Sequence, residues 1–190
     1  EVYGDLRGER VPFGFDLEWE TDRGGLYPWI GTTRYEVSCN VHGEILVGDE
    51  TIDFDGIGQR DHSWGVRDWW NLGWVWTAGG LDDGTRFHTA RIRVRGMEGF
   101  APGYVMPPDA GVKQIDVCTA AEELGDHGFP TSAEITCGPL ELTVEPRHFS
   151  PVHLVDDGPD GTRLARFPRA LCRFESADGR SGVGWTEWNQ

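Results

Sequence analysis

The run Gly58-Gln59-Arg60-Asp61-His62-Ser63-Trp64-Gly65-Val66-Arg67-Asp68-Trp69-Trp70 gathers acids, bases, a hydroxyl and three indoles into thirteen residues between two strand-like segments. An aspartate beside a histidine can supply or accept a proton, and tryptophans can wall off an apolar pocket in which the pKa values of both would shift. Asp61 is the candidate acid: a carboxyl desolvated against indoles stays protonated closer to neutrality, provided that Arg60 or Arg67 does not reach it first. His62 or His88 is the candidate partner that orients it or activates a water. Arg60, Trp64, Trp69, Trp70, Trp74, Trp76 and Trp185 form the candidate substrate-binding set, the indoles as walls of an apolar pocket.

The same residues have a purely structural reading. Arg60-Asp61 and Arg67-Asp68 can be charge pairs that pin a corner of the fold, with Ser63 capping a turn and Trp64 plugging one end. His88 on an apolar face can be a satisfied core histidine. Consecutive residues on an extended chain point to opposite faces, so Asp61 and His62 serve one site only if the backbone bends over Arg60 to Trp64, as Gly58 and Gly65 permit.

Other chemistries fit less well. Ser63 follows His62 directly, which disfavours a nucleophile and base pair. The six histidines, at 42, 62, 88, 127, 148 and 153, show no short metal-ligand spacing, and no glycine-rich loop precedes a helix. Neither metal nor other cofactor is expected. Cys39, Cys118, Cys137 and Cys172 are widely spaced and form no CxxC pair, so they read as small apolar fillers of strands. The formal charge of −15, with Lys113 the one lysine, argues against a nucleic-acid backbone or an anionic membrane as partner. The apolar runs fall short of a membrane span and no charged-then-apolar leader opens the chain, so a soluble, cytoplasmic protein is expected. Its length of 190 residues suits one domain over 1–190.

The elements that must carry these residues are strands. Phe13 to Trp19, Arg34 to Val41, Thr51 to Ile57, Gly73 to Ala78, Phe87 to Val94 and Leu140 to Val144 are short, aromatic or β-branched, and bounded by Gly, Asp, Asn or Pro. With Gly99 to Val105, Lys113 to Cys118, Ser132 to Cys137, Leu171 to Phe174 and Val183 to Trp188 they make roughly ten strands at the spacing of all-β folds. An antiparallel β-barrel or strongly curved sheet pair around an apolar cavity is predicted. Thr119 to Leu124 hints at a helix, and the stretches 107–111 and 156–161 have loop composition. Between the strands at 72–78 and 85–94, a three-residue Asp82-Asp83-Gly84 loop with Gly84 left-handed pairs Trp74 with Ile92, Trp76 with Ala90 and Ala78 with His88. That register turns His88 inward with Trp74 and Trp76, and sends Phe87, Thr89, Arg91 and Arg93 to the other face.

The Gly-x-Gly-x-Arg-Asp-His-Ser-Trp-Gly pattern at 56–65, the following Trp69-Trp70, the Trp-x-Trp hairpin with His88 and the closing Gly-x-Gly-Trp-Thr-Glu-Trp resemble the carotenoid 1,2-hydratase (hydroxyneurosporene synthase) and AttH-like superfamily. The resemblance covers most of the chain from about residue 30 and implies a lipocalin-like fold, which can be the C-terminal half of a longer protein. It implies acid-base work, without a cofactor, on an isoprenoid, polyene or similar apolar small molecule: hydration, cyclisation or isomerisation. Arg60 and Ser63 depart from the family's His-Asp-His-Asn-Trp-Gly form, so substrate identity does not carry over. The alternative is a lipocalin-like module that binds such a molecule without catalysis. Glu187 shares a face with Trp185, and either enters the pocket or lies on the solvated side.

Overall fold

The computed structural model describes residues 8–66, 69–70, 72–97 and 99–189. Fourteen strands and one short 3-10 turn, Asp126–Gly128, make up its regular structure. Three long strands come first: β1 (Phe13–Pro28), β2 (Arg34–Val47) and β3 (Glu50–Ser63), paired antiparallel in the order β1-β2-β3. A bulge between Thr21 and Leu26 shifts the register of the β1–β2 ladder, and Gly25 within it adopts φ +71°.

The second sheet is larger and strongly curled. It contains β4 (Gly73–Leu81), β5 (Arg86–Arg93), β6 (Gly103–Met106), β7 (Lys113–Gln114), β8 (Cys118–Leu124), β9 (Pro130–Cys137) and β10 (Leu140–Phe149). After the separate hairpin of β11 (Val152–Gly158) and β12 (Gly161–Phe167), it is completed by β13 (Arg169–Ser176) and β14 (Ser181–Asn189). The spatial order is β7-β6-β5-β4-β14-β13-β10-β9-β8. Far-apart members β5 and β8 nevertheless come together, so the sheet rolls into a half-barrel.

Each side of the β4–β5 hairpin packs into a different core, as strand alternation requires. Val75 and Phe87 point into the roll, where they meet Ile135, Leu142, Val144, Phe174 and Trp188. Trp76, Ala78 and Ala90 point the other way, toward Tyr27, Trp29, Tyr104 and Met106. The all-β, lipocalin-like expectation therefore holds in its curved-sheet-pair form. The roll is filled by side chains, and the open space lies between the two sheets.

The hairpin register is the one read from the sequence: Trp74 pairs with Ile92, Trp76 with Ala90 and Ala78 with His88. Leu81 donates to Thr85 across the three-residue loop and Gly84 adopts φ +87°, which a residue with a Cβ rarely takes. Two expectations are corrected. Residues 119–124 belong to strand β8 rather than a helix, because Cys118 and Ala120 pack against the core of the roll and pairing with β9 outweighs the helix propensity of Ala-Ala-Glu-Glu-Leu. The Asp- and Gly-rich stretch at 156–161 is the tip of the β11–β12 hairpin, not a plain loop. All four cysteines are free and buried within strands. Among the described residues no helix is long and apolar enough to cross a membrane.

Candidate active site

Strands β2 and β3 pair without a break from Val47↔Glu50 to Arg34↔Ser63. Alternation then sorts their side chains into two sets. Arg34, Glu36 and Ser38 share one face with Ile57, Gln59 and Asp61, and this face lies against β4, β5 and β6. Tyr35, Val37, Cys39, Arg60 and His62 occupy the other face.

Glu36 is the centre of the inner face, with no exposed surface. Its Oε1 accepts hydrogen bonds from Arg34 Nε (2.9 Å) and Trp76 Nε1 (3.1 Å), and its Oε2 accepts from Gln59 Nε2 (3.0 Å). Gln59 is held in turn by the Tyr104 hydroxyl, which donates to Gln59 Oε1 at 2.9 Å. The Arg34 guanidinium lies 4.3 Å above the Trp29 ring and also pairs with Asp61 at 2.5 Å. Burial pushes the Glu36 carboxyl above its ordinary range, and Arg34 and the donors from Gln59 and Trp76 pull against that rise.

His88 is equally buried and faces Glu36. Its Nδ1 sits 3.1 Å from the Thr77 carbonyl, to which it can only donate, so the ring presents its Nε2 lone pair 3.5 Å from Glu36 Oε1. Desolvation, with repulsion from Arg34, holds the imidazole pKa down to about 3. A neutral imidazole beside a carboxyl whose proton is held more tightly than usual is a poised donor and acceptor pair. Glu187 completes the polar set: it stands opposite Trp76 on β14, 4.0 Å from Arg169, and burial raises its pKa despite Arg169.

A cleft of about 190 Å³ opens beside this network. Ser38, Ile57 and Gln59 line it from β3 and β2, while Ala78, Gly79, Gly184 and Trp185 form the opposite wall, with Arg86 and Leu171 at its margins. Gln59 thus belongs to both the cleft and the Glu36 network. The floor needs Gly184, because a Cβ there would stand 2.2 Å from the Ala78 carbonyl oxygen. Among the described residues no three His, Cys, Asp or Glu side chains converge as a metal-binding set.

The residues singled out in the sequence separate into three places. His88, Trp76 and Asp61 meet at the inner face, and Trp185 lines the cleft. His62 instead stacks on Tyr35 with ring centroids 5.1 Å apart, close to Trp64, and Arg60 lies over the same Tyr35 ring. The expected bend over Arg60 to Trp64 is absent, since β3 stays in register to Ser63 and Asp61 and His62 point apart. Trp69 packs with Phe167 at the end of β12 and Arg163 covers Trp70, while Trp74 touches Trp69 and Phe167 and also borders the inner-face cluster of Trp76 and Ala90. Arg34, not Arg60, reaches Asp61; Arg67 and Asp68 lie outside the described residues.

Sequence reasoning missed Arg34, Glu36, Gln59, Tyr104 and Trp29. The available signal was the alternation Arg34-x-Glu36-x-Ser38 opposite Tyr35-x-Val37-x-Cys39, which places a carboxylate and a guanidinium on one face of a strand whose other face is apolar. On its own such a face reads as solvated.

The sequence profile of a family described as a domain of unknown function (DUF7064) matches residues 5–190. No curated protein sequence matches the chain. Among solved structures, a protein described as a putative AttH (NE1406) from Nitrosomonas europaea is similar over 96% of this chain and 63% of its own, at 17% identity and a TM-score of 0.64. Kievitone hydratase from Nectria haematococca is similar over 93% of this chain and 61% of its own, at 9% identity and a TM-score of 0.57. CghA, solved with Sch210972, gives 93%, 61%, 8% and 0.56 for the same quantities. The chain therefore shares the fold of AttH-like lipocalin-like proteins and spans just over three fifths of each of those chains.

Proposed function

The chain belongs to the DUF7064 family, and we propose that it is an acid-base enzyme acting on an apolar small molecule held between its two sheets. One observation carries this reading: Glu36 and His88, both without exposed surface, face each other at 3.5 Å beside an apolar cleft. A buried ionisable pair is weak support for a fold, since well-packed apolar residues of the same volume serve stability as well or better. Its position beside a cleft is what an active site requires. The proposal treats both sheets as one lipocalin-like domain, because the network crosses their interface.

In the reaction, Gln59 is the movable wall between cleft and carboxyl. A ligand that displaces it meets a protonated Glu36, which gives its proton to one carbon of an alkene. The cation at the other carbon is shielded by the Trp76 and Trp185 rings. It is resolved by capture of water, by attack of a second double bond, or by loss of a neighbouring proton, and in each case one proton returns to the Glu36–His88 pair. Hydration, cyclisation and isomerisation differ only in that last step. That one neighbour of the same fold is a hydratase favours the first. Asp61 serves here by holding Arg34 against Glu36, and His62 has no part.

A binding module without catalysis is the second reading, and the full enclosure of Glu36 by four donor contacts favours it. The two separate on incubation of the protein in D₂O with a panel of isoprenoid and prenylated-arene alkenes, read by mass spectrometry. The enzyme reading expects deuterium on carbon, with or without added water, lost in Glu36→Gln, reduced in Asp61→Asn and retained in His62→Ala. Binding of panel compounds with no deuterium incorporated would leave the carrier.

A further inference from the structure

Arg86 sits at the end of the cleft away from Glu36, and the network just described does not use it. It precedes His88 by two residues on β5, so both side chains project from the same face. Its side chain is 15% exposed and borders the cleft, with Nη1 lying over Gly80. Among the described residues its one ion partner is Asp22, 3.5 Å from Nε, and neither Arg86 Nε nor Asp22 Oδ2 makes a hydrogen bond.

Asp22 serves two arginines, its Oδ2 toward Arg86 and its Oδ1 toward Arg23. Its Oδ1 accepts from the Arg23 backbone N–H at 2.7 Å and lies 3.4 Å from the Arg23 guanidinium. Two guanidiniums therefore share one carboxylate, and Arg23 turns its other nitrogen to the Gly84 carbonyl. The remaining titratable group facing Arg86 is the Tyr104 hydroxyl, which burial keeps in its neutral form and which is spent on Gln59. This end of the cleft therefore sets two guanidiniums, the Arg86 one largely desolvated at the cleft margin, against one carboxylate, in a protein of net charge −15. A ligand oxyanion entering the cleft would complete that pairing with a charge-assisted hydrogen bond.

We propose that Arg86 is the head-group subsite of the cleft, so that its ligand is an amphiphile: an apolar body across Ile57, Gly79, Gly184 and Trp185, ending in a carboxylate or other anionic oxygen at Arg86. This rests on the cleft reading and adds polarity to it, placing the far end of the ligand at Gln59 and Glu36. Arg86 binds and orients the ligand; it takes no part in proton transfer.

The test uses two probes of one shape, 2-naphthoate and 2-naphthamide, titrated calorimetrically into the full chain at pH 7. The wild-type protein binds the carboxylate about tenfold more tightly than the amide, the factor that one hydrogen bond to a charged group supplies. Arg86→Gln abolishes that preference and leaves the amide affinity within about twofold, and Arg86→Lys restores part of it. The double variant Asp22→Asn, Arg86→Gln, which removes both members of the pair, gives the same loss of preference if the single variant folds poorly. Equal affinity for both probes in the wild type, or a preference that survives Arg86→Gln, overturns the head-group assignment and leaves the cleft intact. Failure of both probes to bind overturns the cleft reading and the assignment together.

Discussion

Replacing Glu36 separates a functional carboxyl from a structural one, because two substitutions at the site disturb the network differently. Glu36→Gln keeps the volume and one of the two acceptor oxygens. The new amide oxygen still accepts from Arg34 and Trp76, while the new NH₂ stands where Oε2 met Gln59 at 3.0 Å. A flip of the Gln59 amide satisfies that contact, since the Tyr104 hydroxyl can accept as well as donate. The variant thus keeps a partner for Arg34, Trp76 and Gln59 and gives up one, the acceptor of the Tyr104 proton, so it should lie within about 1 to 2 kcal/mol of wild type. Glu36→Ala orphans Arg34 Nε, Trp76 Nε1 and Gln59 Nε2 at about 1 kcal/mol or more each. A partly collapsed cavity adds to this, giving about 3 to 5 kcal/mol in all. Urea unfolding at pH 7, followed by the tryptophan fluorescence, measures both. If Glu36→Gln costs as much as Glu36→Ala, Glu36 is a structural counter-ion for Arg34 and the acid-base reading loses its centre.

Two further predictions follow from the same geometry. His88, held at about 3 in the fold and free at 6.5 in the unfolded chain, binds its proton only on unfolding, so it removes stability as pH falls below 6.5. Glu36, raised in the fold, acts oppositely above 4.5. Urea midpoints should therefore fall more steeply between pH 6.5 and 4.5 in Glu36→Gln, approaching about 1.4 kcal/mol per pH unit, than in wild type; equal slopes would mean that the carboxyl takes up no proton in the native state. Gly184→Ala brings a Cβ to 2.2 Å from the Ala78 oxygen and 2.5 Å from the Gly79 Cα, forcing β14 from β4 at a cost of about 3 kcal/mol. An unchanged melting temperature would show that the cleft floor is not set by this contact.

Much of the fold was legible because local rules and tertiary packing agree. The β4–β5 register follows from one observation, that the Asp82-Asp83-Gly84 loop collects Trp74, Trp76, Ala78, Ala90 and Ile92 on one face, and the structure pairs the strands that way. Where composition and packing disagree, packing prevails. The run Ala120-Ala121-Glu122-Glu123-Leu124 has helical propensity, yet Ala120 pairs with Ile135 on β9 and turns toward the core, and Glu122 projects to meet Arg93. Strand β1 extends to Pro28, well beyond Trp19, because its later half, with Glu20, Asp22 and Arg23, is held by pairing with β2 and by the ion pairs around Asp22. No periodicity in those residues announces it.

The site was half legible for a related reason. Alternation states which residues share a face, but not what covers that face. The run at 58–70 does reach the buried network, through the residues the pleat sends inward: Gln59 to Glu36 and Tyr104, and Asp61 to Arg34. Reading it as one cluster required a bend to bring His62 beside Asp61, whereas the plain two-residue period separates them and delivers His62 to Tyr35. The same period, applied to Arg34-x-Glu36-x-Ser38, yields a charged face that belongs in water unless another sheet lies on it. Here one does, bringing His88, Trp76 and Tyr104, and it is this long-range packing that turns an ordinary polar face into a buried acid and base. The information resides in the contact between two sheets, each side of which reads as unremarkable alone: a lone histidine on an apolar strand and a carboxylate on a polar one. Of the catalytic assignments made from sequence, His88 is the one whose position needed no bend, only the correct hairpin loop, and it is the one the proposed mechanism retains.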